Sequence, residues 1–160
     1  MKQVTKKNKV IKKKVAAKKQ RKHPLFGTSK LEEDFARDFL DKLEVKYIYQ
    51  MEAADIGRWF DFYLPEHNLI IEIDGSYFHS DPRIVEEGKM NPMQKHNKRV
   101  DKYKDEWALM HGIPLIRIWE KDIRENPSMV MDELKRRLYM QDKKVKVAEN
   151  KNKRHVNKFK

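Results

Sequence analysis

The sequence of 160 residues contains no cysteine and no long apolar run. Without cysteine there is no disulfide framework, no thiol nucleophile and no cysteine-ligated zinc site. No apolar run approaches the ~18 residues that a membrane span needs, and the lysine-rich start of the chain has no signal-peptide core. We therefore expect neither an integral membrane protein nor a secreted one, and a reducing cytoplasm fits the composition.

Acidic residues are missing from the first 22 positions, which hold eleven Lys/Arg. Residues 143–160 hold eight Lys/Arg and a single acid, Glu149. The other 18 Lys/Arg and 24 Asp/Glu lie in residues 23–142, so the chain has an acidic body between two basic ends. Charge runs of one sign predict disordered tails that contact nucleic-acid phosphates. The alternative is that the tails only keep the protein soluble.

The pattern of apolar residues predicts one α/β domain over residues 28–142, with basic tails at 1–27 and 143–160. The predicted elements are a helix over 30–43, strands over 45–51, 58–64 and 69–74, a helix over 93–111, a strand over 114–119, and a last helix from about 126 to 140. Ser29 and Glu32 have the spacing of a capping box at the first helix. The polar segment 80–92 predicts an exposed loop.

Acids stand among apolar neighbours in two of these strands. Asp61 is the one acid of an aromatic strand, and Glu72 and Asp74 follow on the next strand. A four-residue loop over 65–68 places Asp61 opposite Glu72, with Asp74 on the same face. Three converging carboxylates repel one another, so the pattern predicts a bound cation or raised pKa values.

The convergence of the acids depends on the register of the hairpin and on what surrounds it. A slip of one residue would put Asp61 and Glu72 on opposite faces. In the alternative without a cation, the acids pair with Arg58, Arg117 or a lysine of a neighbouring helix.

A histidine, His79, follows Asp74 by five residues, after Gly75 at the end of the strand. A histidine near a divalent cation acts as a general base on water or as a ligand. On its own, such a histidine is more often incidental. Its position next to the acids favours the functional interpretation.

The ordered set of Asp61, residues 72–75 (Glu-Ile-Asp-Gly) and His79 resembles the PD-(D/E)xK nuclease superfamily. Within it, the chain is most similar to the very-short-patch repair endonucleases and the phage EDxHD homing endonucleases, over about residues 28–123. The resemblance implies a restriction-endonuclease-like core, with Mg²⁺ (or Mn²⁺) as cofactor and DNA as substrate. It also implies the host cytoplasm as location if the chain is encoded by a phage.

The resemblance also implies a role for each site residue. Asp61 would hold the metal with Glu72 or Asp74 and the carbonyl of Ile73, and His79 would activate water for attack on a phosphodiester. The residues that would position water, metal or His79 are Glu32 of the first helix and Asn97 and Asp101 of the later helix.

Two departures from the family pattern bear on specificity. Asp74 stands where the superfamily has a lysine and the repair enzymes typically a histidine, and the zinc cysteines of the repair enzymes are absent. The expected function is a metal-dependent DNA endonuclease of homing or nicking type, with tails that contact phosphates and a homodimer for double-strand cleavage. The rivals are a mismatch-repair-type nickase, a nuclease for RNA or branched DNA, and a nucleic-acid-binding module that is catalytically inactive.

Overall fold

The computed structural model describes residues 29–157, without the side chains of residues 87 and 148–157. The predicted tail at residues 1–27 lies outside this description. The elements are α1 (Lys30–Phe35, continued by a π-helical turn over Ala36–Leu40), β1 (Ile48–Ala53), β2 (Arg58–Leu64), β3 (Leu69–Asp74), a 3₁₀ turn (Glu87–Lys89), α2 (Pro92–Met110), β4 (Leu115–Trp119), α3 (Glu120–Glu125) and α4 (Pro127–Asn157).

The four strands form one sheet in the order β1-β2-β3-β4. β1, β2 and β3 are antiparallel neighbours, and β4 runs parallel to β3. This arrangement confirms the predicted α/β class and the mostly antiparallel sheet. Leu64 lies opposite Leu69, which is the register predicted from a four-residue loop, and Asn68 closes that loop with φ 50°.

Two apolar cores cover the two faces of the sheet. The first core joins α1 and α4 to one face, and its members include Phe35, Leu40, Phe62, Ile71 and Leu134. The second core joins α2 to the other face, and its members include Met51, Phe60, Tyr63, Ile70 and Trp107. The strands are therefore covered on both faces, which leaves their ends for polar chemistry. Within the described residues, no helix has the length and apolar character needed to cross a bilayer.

The last helix corrects the predicted C-terminal boundary. The sequence pattern predicted a helix end near residue 140 and a disordered tail from residue 143, but α4 continues to Asn157. No glycine or proline interrupts residues 141–157, so nothing in that segment stops a helix. Asp142, on this continuation, contacts His67 of the β2–β3 loop at 2.6 Å.

The capping boxes also differ from prediction. The Ser29 side chain makes no cap hydrogen bond, and the Glu32 carboxylate accepts hydrogen bonds from Tyr49 and Gln50 of β1. A complete capping box stands at α2, where Asn91 and Gln94 bond reciprocally to each other's backbone N–H. The short helix α3 was not predicted.

A matched pair of glycine substitutions tests the turn between β1 and β2. Gly57 has φ +60°, and nothing lies within 4 Å of a Cβ added there, so Gly57→Ala introduces backbone strain without a clash. We expect a loss of about 1–2 kcal/mol in the free energy of unfolding, measured by urea denaturation. Gly88→Ala, where space is equally open and φ is ordinary, is the control and leaves stability unchanged or slightly higher.

Candidate active site

The alternation of β1 and β2 breaks at one opposed pair, Gln50 and Asp61. Gln50 has φ 52°, a left-handed conformation that is unusual inside a strand. The flanking register pairs are Tyr49 with Phe62 and Met51 with Phe60. Phe62 belongs to the first core and Phe60 to the second, although in a regular strand residues two apart share a face. Asp61 therefore lies at the point in β2 where the regular alternation between the two cores is interrupted.

The β2–β3 hairpin also changes its bonding at Asp61. Backbone pairing reaches Phe62 and Ile71. Beyond that pair, the Asp61 N–H donates to Glu72 Oε1 at 3.0 Å, and the Ile73 N–H donates to Asp61 Oδ2 at 2.7 Å. Two carboxylates thus accept backbone N–H groups that a regular ladder would bond to carbonyls. Asp61 and Glu72 are opposite each other, as the predicted hairpin requires.

The first set of charged residues, which we call the Asp61 group, comprises Glu32, Asp61, Glu72 and Lys104. Tyr49 Oη and Gln50 Nε2 donate to Glu32 at 2.7 and 2.8 Å, and Lys104 Nζ contacts Glu72 Oε2. Burial, with the nearby charges of Glu72 and Glu32, raises the pKa of Asp61 well above its ordinary value. Burial also raises the pKa of Glu72, and the Lys104 ammonium opposes that rise. Carboxylates outnumber cations in this group by three to one.

The second set, the His79 group, comprises Asp74, His79, Asp101 and Arg117. His79 Nδ1 lies 2.8 Å from Asp101 Oδ2 and 3.7 Å from Asp74 Oδ1. Arg117 donates to both oxygens of Asp74, at 2.9 and 3.2 Å, and contacts Asp101 Oδ1 at 3.4 Å. Arg117 also lies 3.9 Å from Glu72 Oε2, so its guanidinium connects the two groups.

The turn that carries His79 is fixed to α2 through its backbone. Asn97 Nδ2 donates to the carbonyl of Phe78 at 3.0 Å, and Gln94 Nε2 donates to the carbonyl of Tyr77 at 2.7 Å. The His79 N–H closes the turn on the carbonyl of Gly75 at 3.0 Å. Tyr77 and Phe78, which precede His79 in this turn, are each more than half exposed.

The imidazole of His79 is oriented by Asp101. An ionised carboxylate accepts hydrogen bonds, so the short contact places a proton on Nδ1 and leaves the Nε2 lone pair free when the ring is neutral. No group of the described chain hydrogen-bonds Nε2. Burial by itself lowers the pKa of His79, but the bond to Asp101 and the charge of Asp74 outweigh it, so the pKa is raised. The same contact lowers the pKa of Asp101, although burial opposes it.

The predicted metal set is divided between the two groups. Glu72 is paired with Lys104 and Asp74 with Arg117, so the ion-pair alternative describes these two acids. Asp61 has Ile73 beside it and, among the described residues, forms no ion pair with a lysine or arginine. Within residues 29–157, the three-residue set whose ligand atoms all lie within 4.8 Å of one another is Asp74, His79 and Asp101.

The predicted Asn97 and Asp101 both reach the His79 turn, as their one-turn spacing suggests. Lys104 was missed because nothing in the sequence separates it from the exposed lysines of α2. Gln94 had a signal, the Asn-Pro pair that starts α2, which marks it as the third residue of a capping box.

No protein-family model matches this chain, and no curated protein matches it.

Substitutions of Gln50 test whether its left-handed backbone is strained. Gln50→Gly removes the strain, whereas Gln50→Ala keeps it, and both remove the hydrogen bond to Glu32. We expect the glycine variant to be the more stable by about 1–2 kcal/mol in urea denaturation. Glu52, with an ordinary φ in the same strand, is the control position, and there alanine is the more stable by about 0.5–1 kcal/mol. If alanine were more stable than glycine at both positions, the result would contradict strain at Gln50.

Proposed function

We propose that this protein is a divalent-metal-dependent endonuclease that hydrolyses phosphodiester bonds in DNA. The observation that carries the proposal is a histidine oriented by Asp101, beside an acidic group in which carboxylates outnumber cations by three to one. The Nε2 of this histidine has no hydrogen-bond partner among the described residues. The resemblance to PD-(D/E)xK nucleases supports it, and so does the mixed sheet with helices on both faces. A restriction-endonuclease-like core is part of the proposal.

The Asp61 group offers oxygen donors to a hard divalent cation. Its three carboxylates face one ammonium, and oxygen ligands are those that Mg²⁺ and Mn²⁺ prefer. Asp61 and Glu32 would hold the ion, because neither has a basic partner among the described residues. Glu72 and Asp74 are already neutralised by Lys104 and Arg117. When bound, the cation would stabilise the negative charge that develops on the phosphate oxygens.

The chemistry of the chain's own residues centres on His79. Nε2 accepts a proton from water, and the water oxygen forms a bond to phosphorus. The bond from phosphorus to the leaving oxygen breaks, and that oxygen takes a proton from solvent. Asp101 holds the ring through Nδ1 and stabilises the imidazolium that forms, because its carboxylate stays ionised. Asn97 and Gln94 keep the turn in place while the proton moves.

Two surface features favour a nucleic acid over a small phosphate ester. Tyr77 and Phe78 are 57% and 55% exposed beside His79, and their backbone is fixed, so they offer ring faces on which bases can stack. The exposed Lys143, Lys144 and Lys146 of α4 offer positive charge for phosphates. These features support nucleic acid as the substrate class.

The central test is metal-dependent cleavage of supercoiled plasmid by wild type and by Asp61→Asn. We expect nicking or linearisation with Mg²⁺ or Mn²⁺ for wild type, none with EDTA, and EDTA-level background for the variant. Asparagine still accepts the Ile73 N–H and removes repulsion with Glu72, so the melting temperature should not fall. Asp132→Asn, an exposed acid on α4, is the control and keeps wild-type activity.

The outcomes of that assay separate the rival functions. Binding of DNA without metal-dependent cleavage would favour an inactive binding module. Cleavage restricted to mismatched duplex would favour a repair nickase. Cleavage restricted to RNA or branched DNA would favour a nuclease for that substrate. Near wild-type cleavage by folded Asp61→Asn would contradict the assignment of this site.

The general-base role predicts a distinctive pH dependence. Neutral imidazole is the active form, so the rate should fall as pH drops through the pKa of His79, which lies above its ordinary 6.5. Asp101→Asn removes a contact that raises this pKa, so the midpoint should move to lower pH. His79→Ala should lower kcat by about 10²–10⁴-fold. His96→Ala, exposed on α2, is the control. An unshifted midpoint in Asp101→Asn would contradict the pairing.

A further inference from the structure

Lys104 is a buried lysine that the proposed mechanism does not use. It lies on α2 with 8% of its surface exposed, and its Nζ lies 5.0 Å from the centre of the Phe60 ring. Lysine is almost never buried without a partner, and the partner here is the Glu72 carboxylate. Because the ring and the carboxylate both contact the ammonium, its position is fixed from two sides.

Glu72 connects this ammonium to the backbone of the site. One of its oxygens contacts Lys104, and the other accepts the N–H of Asp61 at 3.0 Å. Asp61 in turn accepts the N–H of Ile73 at 2.7 Å. Glu72 is 2% exposed, so its carboxylate fills the space between β2 and β3 with both oxygens engaged. The orientation of Asp61 therefore depends on the position of the Glu72 side chain.

We propose that Lys104 is a positioning residue: it holds the Glu72 carboxylate between β2 and β3 and so fixes the Asp61 carboxylate. Without the ammonium, a carboxylate this deeply buried loses its closest partner and turns towards solvent. That movement takes away the acceptor of the Asp61 N–H. The effect of Lys104 on cleavage rests on the proposed function, whereas its effect on the positions of Glu72 and Asp61 does not.

The rival role for Lys104 is direct contact with a substrate phosphate. The geometry disfavours that role, because Nζ is already in contact with Glu72, faces an aromatic ring and is almost fully covered. The two roles differ in what they require. A positioning lysine is dispensable once Glu72 no longer carries a charge, whereas a phosphate-binding lysine is needed whatever stands at position 72.

Three variants separate the roles: Lys104→Met, Glu72→Gln and the double variant. Each single change leaves an unpaired charge in the site, whereas the double variant is a neutral pair of similar shape whose glutamine oxygen still accepts the Asp61 N–H. Lys102→Met is the matched control, because Lys102 is exposed on the same helix and its nearest acid, Glu106, is 3.9 Å away.

The first readout is amide hydrogen exchange at Asp61 and Ile73, which needs no activity. We expect exchange to accelerate about tenfold in Lys104→Met and to return close to the wild-type rate in the double variant. The second readout is plasmid cleavage with Mg²⁺. We expect kcat to fall about 10–100-fold in each single variant, with KM for DNA unchanged, and to recover in the double variant.

Unchanged exchange in folded Lys104→Met would overturn the proposal. So would a double variant that is unfolded, or that stays as impaired as the worse single variant, since the lysine charge would then be needed for itself. If Lys104→Met does not fold but the double variant does, with Asp61 and Ile73 protected, the proposal is supported. The expected exchange pattern in a wild type that cleaves no DNA would refute the proposed function and leave the positioning role standing.

Discussion

The structure depends on accommodating carboxylates inside a β-sheet whose other buried side chains are apolar or aromatic. An unpaired ionised carboxylate at such a position costs several kcal/mol. Glu72 and Asp74 are each 2% exposed, and each is matched by one cation, Lys104 from α2 and Arg117 from β4. These contacts hold α2 and the end of β4 against the same end of β3. The helix that neutralises Glu72 is thus also the helix that delivers Asp101 to His79.

Strain and unbalanced charge coincide at the third carboxylate, Asp61. The residue opposite Asp61, Gln50, adopts a left-handed backbone conformation that costs about 1–3 kcal/mol. The pKa of Asp61 is raised by burial and by neighbouring acids. In a sheet selected only for stability, successive side chains would keep alternating between the two faces at this position. Unfavourable features of this kind persist at sites where the surrounding fold holds them in place. They therefore support the proposed role of Asp61 independently of any sequence motif.

Local patterns predicted the hairpin and its opposed acids, because turn length and alternation act over a few residues. The sequence offered Arg58, Arg117 and the helix lysines as alternative partners of the acids, but it did not assign the pairs. Lys104 lies 32 residues from Glu72, and Arg117 lies 43 from Asp74. Periodicity marks which helix face is apolar, but it does not say which lysine of α2 will be buried. The donors to the Glu32 carboxylate, Tyr49 and Gln50, were missed for the same reason, because tertiary folding brings them from β1.

The loop between β2 and β3 determines which residues of the two strands lie opposite each other. Its four residues fix which strand position faces which, and its His67 is attached to α4. If a change in loop length shifted the pairing by one place, every side chain of one strand would change faces relative to the other. Loops on a protein surface generally tolerate changes in length during evolution. In this loop, a change that shifts the register would separate Asp61 from Glu72 without altering either residue.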